Sequence, residues 1–293
     1  MAKGLGPGQV PLAAVVGHPV SHSASPRIFE LLAQAAGLPV HYRRLDIPPK
    51  LFKATLQVAR QLELFSGWNC TIPHKQQAAK WADERSPEVR CLGAANVLKF
   101  RRGKIQAYNT DILGVTRTLL DHEIAVRGQR AVIFGAGGAS LAVGYALGKL
   151  GAKEVVIVNR TLANARRVGR RLTQAFPKTL FFPTIDTQIC AALEVALYVN
   201  TTPLGMKGFQ NTSVLPQQAY PGAWAFDLVY RPEQTVFLRD ARRRGLKTVG
   251  GLDMLIWQAI GSWELWFGSL GEPSRVKRIF LKVRRNLRQE LNS

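Results

Sequence analysis

The sequence is poor in cysteine and acidic residues and has no long hydrophobic run. Its three cysteines, Cys70, Cys91 and Cys190, are too few and too scattered for a disulfide framework or a CxxC metal site, so we expect reduced thiols and no zinc. No apolar run approaches the roughly 20 residues that span a bilayer. Glycine and proline interrupt the first residues, where a signal peptide would have its apolar core. These absences predict a cytoplasmic protein without a membrane partner.

The shortage of acidic residues leaves a large positive charge. There are 40 lysines and arginines against 19 acidic residues, a formal net charge of +21, which attracts phosphates, carboxylates or nucleic acid. The basic residues are spread along the chain and accompany no aromatic stripe, so a basic solvated surface is favoured over a nucleic-acid patch. The denser clusters are Arg166, Arg167, Arg170 and Arg171, then Arg242 to Arg244, and the segment 275–288.

The composition is that of a globular protein, with 46% hydrophobic and 20% charged residues. A length of 293 residues predicts two domains. Short apolar runs alternate with amphipathic stretches, a pattern that indicates an α/β fold with strands buried on both faces in its second part. The predicted strands are 12–16, 41–45, 67–71, 130–134, 154–158, 196–199, 224–228 and 247–249, and the predicted helices include 51–62 and 162–176.

The last forty or so residues are predicted to be helical. An apolar stripe at helical spacing predicts a final helix that packs on the body of the protein and has a basic outer face. The stripe consists of Val276, Ile279, Phe280, Val283, Leu287 and Leu291.

A glycine-rich string follows the predicted strand 130–134 and opens a helix. Gly135 permits a tight turn, and Gly137 lets the backbone approach a pyrophosphate at the helix N-terminus. Ser140 occupies the third position of the pattern, where a small residue is usual. This context favours dinucleotide binding over an ordinary turn. The candidate contacts are Gly135, Ala136, Gly137, Gly138 and Ala139.

The end of the next strand indicates which dinucleotide binds. A carboxylate there would bond the ribose hydroxyls of NAD, whereas a basic group would receive the 2′-phosphate of NADP. The chain has Asn159, Arg160 and Thr161 and no acid, with Asn164 as a further candidate contact. NADP is therefore predicted, although an exposed arginine at a helix start is the alternative interpretation.

Eight strings together resemble the shikimate dehydrogenase family in order and spacing over nearly the whole chain. They are GHPVSHSASP (17–26), NCTIPHK (69–75), GAANV (93–97), NTD (109–111), GAGGAS (135–140), NRT (159–161), NTTPLGM (200–206) and GGLDMLIWQA (250–259). The resemblance implies NADP-dependent, reversible reduction of 3-dehydroshikimate to shikimate in aromatic amino-acid biosynthesis. It also implies an α/β substrate domain at 1–111, a Rossmann doubly wound NADP-binding domain at 112–249, and C-terminal helices at 250–293 that return to the first domain.

The resemblance assigns roles to individual polar residues. Ser23 and Ser25 match the serines that hold the substrate carboxylate, although SxSP is also a helix-capping sequence. Lys75 matches the catalytic lysine and Asp111 the carboxylate that orients it; without the motif context, an ordinary ion pair would be favoured. The further substrate contacts implied are Thr71, Asn96, Tyr230 and Gln258, and the further cofactor contacts are Asn200, Thr201, Leu228 and Gly251.

Two residues depart from the family pattern. Trp68 and Cys70 flank Asn69 where small or β-branched residues are usual, so Trp68 could reshape the substrate pocket towards quinate or an amino analogue. A quinate/shikimate dehydrogenase of broader specificity is the near alternative. A nucleic-acid-binding protein that reuses the fold is the distant one, and a homodimer stays open.

Overall fold

The protein is described from a computed structural model, which covers residues 10–189, 194–206, 208, 209 and 212–292. Cys190 and the first nine residues, with the expectations placed on them, lie outside the described residues. The chain divides into two compact units, the first made of Met1–Thr110 with Ile256–Ser293 and the second of Asp111–Leu255. The boundaries thus fall after Thr110 and Leu255, whereas the sequence analysis predicted them after residues 111 and 249.

The first unit contains a mixed six-stranded sheet in the order β2-β1-β3-β5-β6-β4. The neighbours of β1 run parallel to it, while β5 runs antiparallel to β3 and β6. The first strand in the chain therefore lies inside the sheet, and the strands after it are added on either side. The strands are β1 Leu12–Gly17, β2 His41–Asp46, β3 Gly67–Cys70, β4 Glu84–Arg85, β5 Val97–Arg101 and β6 Lys104–Tyr108.

Helices cover both faces of this sheet. In α1, a proline in the first turn starts the helix, Ile28 and Leu32 are buried, and Gly37 ends it in the left-handed conformation. The last helix, α10, packs on α1, and Arg27 bonds Glu290 at 2.7 Å. The helices are α1 Ser25–Ala36, α2 Phe52–Leu62, α3 Lys75–Trp81, α4 Pro87–Leu92, α10 Pro273–Asn292 and most of α9 Leu252–Phe267.

The second unit contains a parallel six-stranded sheet in the order β12-β11-β10-β7-β8-β9. This arrangement confirms the predicted doubly wound sheet. Its strands are β7 Arg130–Phe134, β8 Glu154–Val158, β9 Leu180–Thr184, β10 Leu197–Asn200, β11 Trp224–Asp227 and β12 Lys247–Val249. Its helices are α5 Asp111–Asp121, α6 Gly138–Lys149, α7 Leu162–Ala175 and α8 Val236–Arg243.

One edge strand of this sheet was not predicted. In β9, Leu180 is 58% and Phe182 39% exposed, so the expectation that every strand is buried on both faces is wrong here. The strand lies at the sheet edge and carries Pro183, which cannot donate a hydrogen bond to a further strand. An exposed edge strand therefore lacks the continuous buried apolar run by which the other strands were predicted.

Trp68 lies in the hydrophobic core of the first unit. Its ring is fully buried and meets Phe65 and Phe100 edge-on at centroid distances of 5.6 and 5.4 Å. Side chains alternate between the faces of a strand, so Trp68 and Cys70 share this core face while Asn69 points to the opposite one. The hypothesis that Trp68 shapes a substrate pocket is wrong for this reason.

The basic helices present their charges to solvent. In α10, Ile279, Phe280, Val283 and Leu287 are buried, which confirms the predicted apolar stripe. Within the described ranges, none of the helices has both the length and the apolar character that crossing a membrane requires. The exposed cations of α7 and α10 are Arg166, Arg167, Arg170, Arg275, Arg278, Lys282, Arg285 and Arg288.

Candidate active site

The loops after β1 and β3 meet at one edge of the first sheet. From these neighbouring strands the chain continues in opposite directions, which leaves a crevice at their carboxyl ends where α/β proteins bind ligands. Thr71 N donates to Val16 O at 2.9 Å. A Cβ on Gly17 would lie 2.6 Å from Thr71 Cγ2, so glycine permits this approach. The two loops that carry the predicted substrate residues are thus held side by side.

The serine pair is joined by a local turn. Ser23 Oγ accepts from Ser25 N at 3.3 Å and donates to Ser25 Oγ at 3.2 Å. The N-cap of α1 is Ala24, which makes no side-chain capping bond. Arg44, in β2, donates to Ser23 O at 2.7 Å, a basic neighbour that the sequence analysis missed. Two hydroxyls beside a guanidinium can bind a carboxylate.

Lys75 is placed by the turn that follows β3. Thr71 O accepts from His74 N at 2.7 Å, and α3 then begins at Lys75, whose carbonyl oxygen accepts from Ala95 N at 2.9 Å. His74 is buried, and its Nε2 donates to Ile47 O at 2.7 Å. Burial lowers the pKa of His74, which favours the neutral ring. His74 thus anchors the start of α3, where Lys75 lies.

Two predicted polyol contacts, Asn96 and Gln258, are brought together in the first unit. Asn96 Nδ2 donates to Gln258 Oε1 at 3.4 Å, and both side chains are buried. Asn96 Oδ1 accepts from Thr110 N at 2.7 Å, which fixes the orientation of the amide. The oriented amide therefore directs its N–H groups towards Gln258 Oε1 and towards Thr110 Oγ1, which accepts at 3.0 Å.

The same network extends to residues that the sequence analysis did not select. Ser262 Oγ accepts from Asn69 Nδ2 at 2.8 Å and donates to Gln258 O at 2.9 Å. Tyr42 donates its hydroxyl to Asn69 Oδ1 at 2.7 Å. Ser262 follows Gln258 by four residues and therefore shares its helix face, a signal that was present in the sequence. Asn69 and Thr110 lie inside two of the quoted motifs.

Asp111 and Tyr230 belong to the second unit, unlike the other predicted substrate residues. Asp111 is the first residue of α5 and follows Thr110 directly, while Tyr230 lies beyond the end of β11. The first unit thus holds Ser23, Ser25, Thr71, Lys75, Asn96 and Gln258.

In the second unit, the strand order reverses between β7 and β10. Thr201 N and Oγ1 both donate to Phe134 O, at 2.9 and 2.7 Å. Gly135, which follows Phe134, has φ +110°, and a Cβ there would lie 2.5 Å from Thr201 Oγ1. Only glycine fits this conformation and this approach. The glycine-rich loop thus occupies the dinucleotide-binding position of a doubly wound sheet.

The loop leads into the N-terminus of α6. Gly137 is the N-cap and Gly138 the first residue of the helix, and Ser140 Oγ donates to Gly137 O at 2.6 Å. A Cβ on Gly137 would meet no atom within 4 Å, so this side of the loop is open. Ala136 and Ala139, on either side of these two glycines, add only small side chains to the loop. Such a helix start binds phosphate groups through its backbone N–H groups.

The segment after β8 carries positive charge and no acid. Asn159 Nδ2 donates to Thr161 O at 2.9 Å, which shapes the turn into α7. Arg160 is exposed, and Asn164 N donates to Thr161 O at 3.1 Å in the first turn of the helix. The site fits a 2′-phosphate because an exposed guanidinium can pair with it.

A buried carboxylate lies behind the remaining cofactor candidates. Asp227 Oδ1 accepts from Asn200 Nδ2 at 2.9 Å and from Val229 N at 3.0 Å, and Oδ2 accepts from Thr235 Oγ1 at 2.6 Å. Burial raises the pKa of Asp227 from 3.8 to about 6, although these three bonds favour the charged form. The candidates Leu228 and Gly251 adjoin it. Sequence analysis did not select Asp227, because its partners become neighbours only in the folded sheet.

Comparisons with known proteins identify relatives of the whole chain. A family model described as the shikimate dehydrogenase substrate binding domain matches residues 15–98. The chain is 36% identical over 282 residues to the shikimate dehydrogenase (NADP(+)) of Symbiobacterium thermophilum, covering 93% of each. Shikimate 5-dehydrogenase from Listeria monocytogenes, solved with shikimate and NAD, is similar at a TM-score of 0.85 and 28% identity, covering 96% of this chain and 97% of that one. Quinate dehydrogenase from Corynebacterium glutamicum, solved with NAD, is similar at a TM-score of 0.81 and 28% identity, covering 93% and 99%.

A parallel sheet with a glycine-rich loop where its strand order reverses defines a dinucleotide-binding α/β protein. Within that class, the 36% sequence identity over 93% of each chain identifies the family. The chain belongs to the shikimate dehydrogenase family, which confirms the resemblance seen in its motifs.

The raised pKa of Asp227 predicts a distinct pH dependence of stability. The folded protein holds this proton more tightly than the unfolded chain, so the stability that it contributes is lost as pH rises from 3.8 through about 6. Relative to an Asp227→Asn variant, the wild-type free energy of unfolding should fall by roughly 2 kcal/mol between about pH 4 and pH 7, at about 1.4 kcal/mol per pKa unit. Urea unfolding of both proteins across this range measures the difference. A difference that stays flat or rises with pH would contradict the assignment.

Proposed function

We propose that the protein is an NADP-dependent shikimate dehydrogenase that reversibly reduces 3-dehydroshikimate to shikimate in aromatic amino-acid biosynthesis. The observation that carries the proposal is the glycine-rich loop at the strand-order reversal, followed by Arg160 and no acid, in a chain of this family. The proposal includes a cytoplasmic location and excludes nucleic acid as a main partner.

The polar residues of the first unit suit a hydroxylated ring that carries a carboxylate. Ser23 and Ser25 would bind the carboxylate, with the Arg44 guanidinium as a basic neighbour. Thr71, Asn96 and Gln258 would bond ring hydroxyls, and Tyr230 is a further candidate substrate contact. Fixed donors and acceptors of this kind discriminate strongly, because an analogue that lacks a hydroxyl leaves buried groups unpaired.

Reduction of a ring ketone requires a proton at the oxygen while the carbon gains a hydride. Bound NADPH would supply the hydride. Lys75, at the start of α3, would donate its Nζ proton to the developing oxyanion in reduction and would accept a proton from the hydroxyl in oxidation. Asp111 would orient the Lys75 ammonium and bond an adjacent hydroxyl.

The second unit provides the residues that would hold the cofactor. The loop of Gly135, Ala136, Gly137, Gly138 and Ala139 would bind the pyrophosphate, where the open side of Gly137 supports close approach. Asn159, Arg160, Thr161 and Asn164 would bind the adenosine end with its 2′-phosphate. Asn200, Thr201, Leu228 and Gly251 would contact the remaining part of the cofactor.

A quinate/shikimate dehydrogenase of broader specificity is the second candidate. The similarity to the quinate dehydrogenase structure favours it, because that protein covers nearly the same length of this chain. The burial of Trp68 in the core removes the sequence feature that had pointed towards quinate. Shikimate therefore remains the preferred substrate.

Purified protein should form NADPH rapidly when given shikimate and NADP⁺. Parallel reactions with quinate, and with NAD⁺, should be much slower, since Arg160 favours a 2′-phosphate. Absorbance of the reduced nicotinamide measures all four combinations. Faster turnover of quinate would select the second candidate, and no turnover in any combination would reject both.

Replacing Lys75 by alanine should lower turnover by about a hundredfold or more, the usual contribution of a positioned acid–base group. The KM for shikimate should change much less, because the hydroxyl and amide contacts remain. Lys80→Ala, an exposed lysine on the same helix, is the matched control and should keep wild-type turnover. A folded Lys75→Ala protein with wild-type turnover would contradict the proposed role.

Replacing Gly137 by alanine should weaken NADP⁺ binding without unfolding the loop. The added Cβ meets no protein atom within 4 Å, so the thermal midpoint without ligand should stay close to that of the wild type. The methyl group would instead occupy the approach of the pyrophosphate and raise the Kd for NADP⁺ about tenfold or more.

Calorimetric titration and a thermal melt measure the two effects of Gly137→Ala separately. Gly169→Ala, on α7, is the control, because its added Cβ would lie at an ordinary contact distance of 3.8 Å from Phe181 O. Unchanged NADP⁺ affinity in Gly137→Ala would place the pyrophosphate elsewhere.

A further inference from the structure

The carboxylate of Asp227 joins segments of the second unit that are far apart in sequence. Its side chain is fully buried and lies at the end of β11. Its three bonded donors are the side-chain amide of Asn200 at the end of β10, the backbone N–H of Val229, and the hydroxyl of Thr235, which caps α8. Both carboxylate oxygens therefore accept hydrogen bonds, two at Oδ1 and one at Oδ2.

On one side, the bond to Asn200 fixes the turn that follows β10. With Nδ2 directed to Asp227, Asn200 Oδ1 accepts from Thr202 N at 3.0 Å and from Thr202 Oγ1 at 2.7 Å. Nδ2 also donates to Leu204 O at 3.2 Å. Because the Asp227 contact decides which way this amide faces, it also decides the shape of the turn that contains Thr201.

On the other side, Asp227 fixes the segment that follows β11. Thr235 Oγ1 donates to the carboxylate while accepting from Leu238 N at 3.2 Å, so the same hydroxyl caps α8. The backbone at 227–228 is also where Gly251 packs, since a Cβ on Gly251 would overlap the carbonyl oxygen of Leu228. The segments after β10, β11 and β12 thus meet around one carboxylate.

We propose that Asp227, with Thr235, is a positioning residue for the dinucleotide site, because it holds the segments that carry Asn200, Thr201, Leu228 and Gly251. The inference rests on the proposed function, which makes these segments part of the NADP site. Asp227 itself would touch neither cofactor nor substrate. Its carboxylate instead holds the loops that would contact the cofactor.

The stability of an Asp227→Asn variant distinguishes this role from a purely structural one. A buried carboxylate is expensive to desolvate, and even whole buried ion pairs can be replaced by neutral groups with no loss of stability. The raised pKa of Asp227 agrees, since it means that ionisation is unfavourable in the fold. The neutral amide of an Asp227→Asn variant would therefore keep or raise stability at neutral pH while weakening the charge-assisted bonds that hold the loops.

Three variants test the inference by ligand binding alone. Asp227→Asn removes the charge, Thr235→Val removes the hydroxyl donor, and Thr235→Ser keeps it. Calorimetric titration at neutral pH, well below the thermal midpoint, gives the Kd of each protein for NADP⁺ and, separately, for shikimate. A thermal melt without ligand reports stability.

We expect the Kd for NADP⁺ to rise about tenfold in Asp227→Asn and Thr235→Val, the scale of one weakened hydrogen bond to a charged group. Thr235→Ser should stay within about twofold of the wild type, because it retains the hydroxyl donor. The Kd for shikimate should rise less than the Kd for NADP⁺ in every variant, since Tyr230 is the one proposed substrate contact in the segment that follows β11. Asp227→Asn should lose this affinity without a lower thermal midpoint.

Two results would overturn the inference while leaving the proposed function intact. One is wild-type NADP⁺ affinity in both Asp227→Asn and Thr235→Val. The other is loss of NADP⁺ and shikimate binding together with a lower thermal midpoint, which would show general destabilisation. Wild-type protein that binds no NADP⁺ would instead reject the proposed function, and this inference with it.

Discussion

Both units depend on the close approach of a glycine to a threonine at the carboxyl edge of the sheet. In the first unit, Gly17 ends β1 against Thr71, and in the second, Gly135 follows β7 against Thr201. In each pair, the threonine N–H donates at 2.9 Å to the residue before the glycine. The strand that begins each sheet lies in its interior, so the chain leaves it in one direction and returns on the other side. In each unit the two loops can lie this close together because the glycine has no side chain.

The two units use buried polarity in different ways. The first encloses a network of amides and hydroxyls, in which Asn69, Asn96 and Ser262 each bond more than one partner. The second encloses a carboxylate, Asp227, which accepts from Thr235 Oγ1 at 2.6 Å and whose burial is more expensive. A satisfied neutral network fixes side-chain orientation at little cost, whereas a buried charge destabilises the fold as it ionises. The segments around the end of β11 must therefore supply hydrogen-bond donors to the Asp227 carboxylate.

Most of the second sheet could be predicted because its strands are continuous apolar runs bounded by turn residues. The run before Gly135 is the clearest case, and the structure begins and ends that strand at the predicted residues. β9 was missed because half of its side chains face solvent and it contains Pro183. Periodicity also could not say which face of β3 would hold Trp68, since the identity of the polar face depends on α9, almost two hundred residues later.

The candidate site was predictable where motifs are local and was missed where contacts are long-range. Gly135, Gly137 and Ser140 lie in one string, and its position between a strand and a helix gave the loop its interpretation. Asp227 gained its meaning only through Asn200 and Thr235, which a pattern within one strand does not connect. The roles of Lys75 and Asp111 stay predictions, because they describe chemistry and not position.

The late arrival of α9 in the chain has a consequence for biosynthesis. Trp266 donates its indole N–H to Leu98 O at 3.0 Å, and Ser262 and Gln258 complete the amide network of the first unit. On the ribosome, residues 111–255, which carry the six strands of the second sheet, emerge before Trp266 does. Since domains generally fold as units during synthesis, the unit that starts the chain is the last to finish folding. Its buried amides and hydroxyls reach their final arrangement only after α9 has left the ribosome.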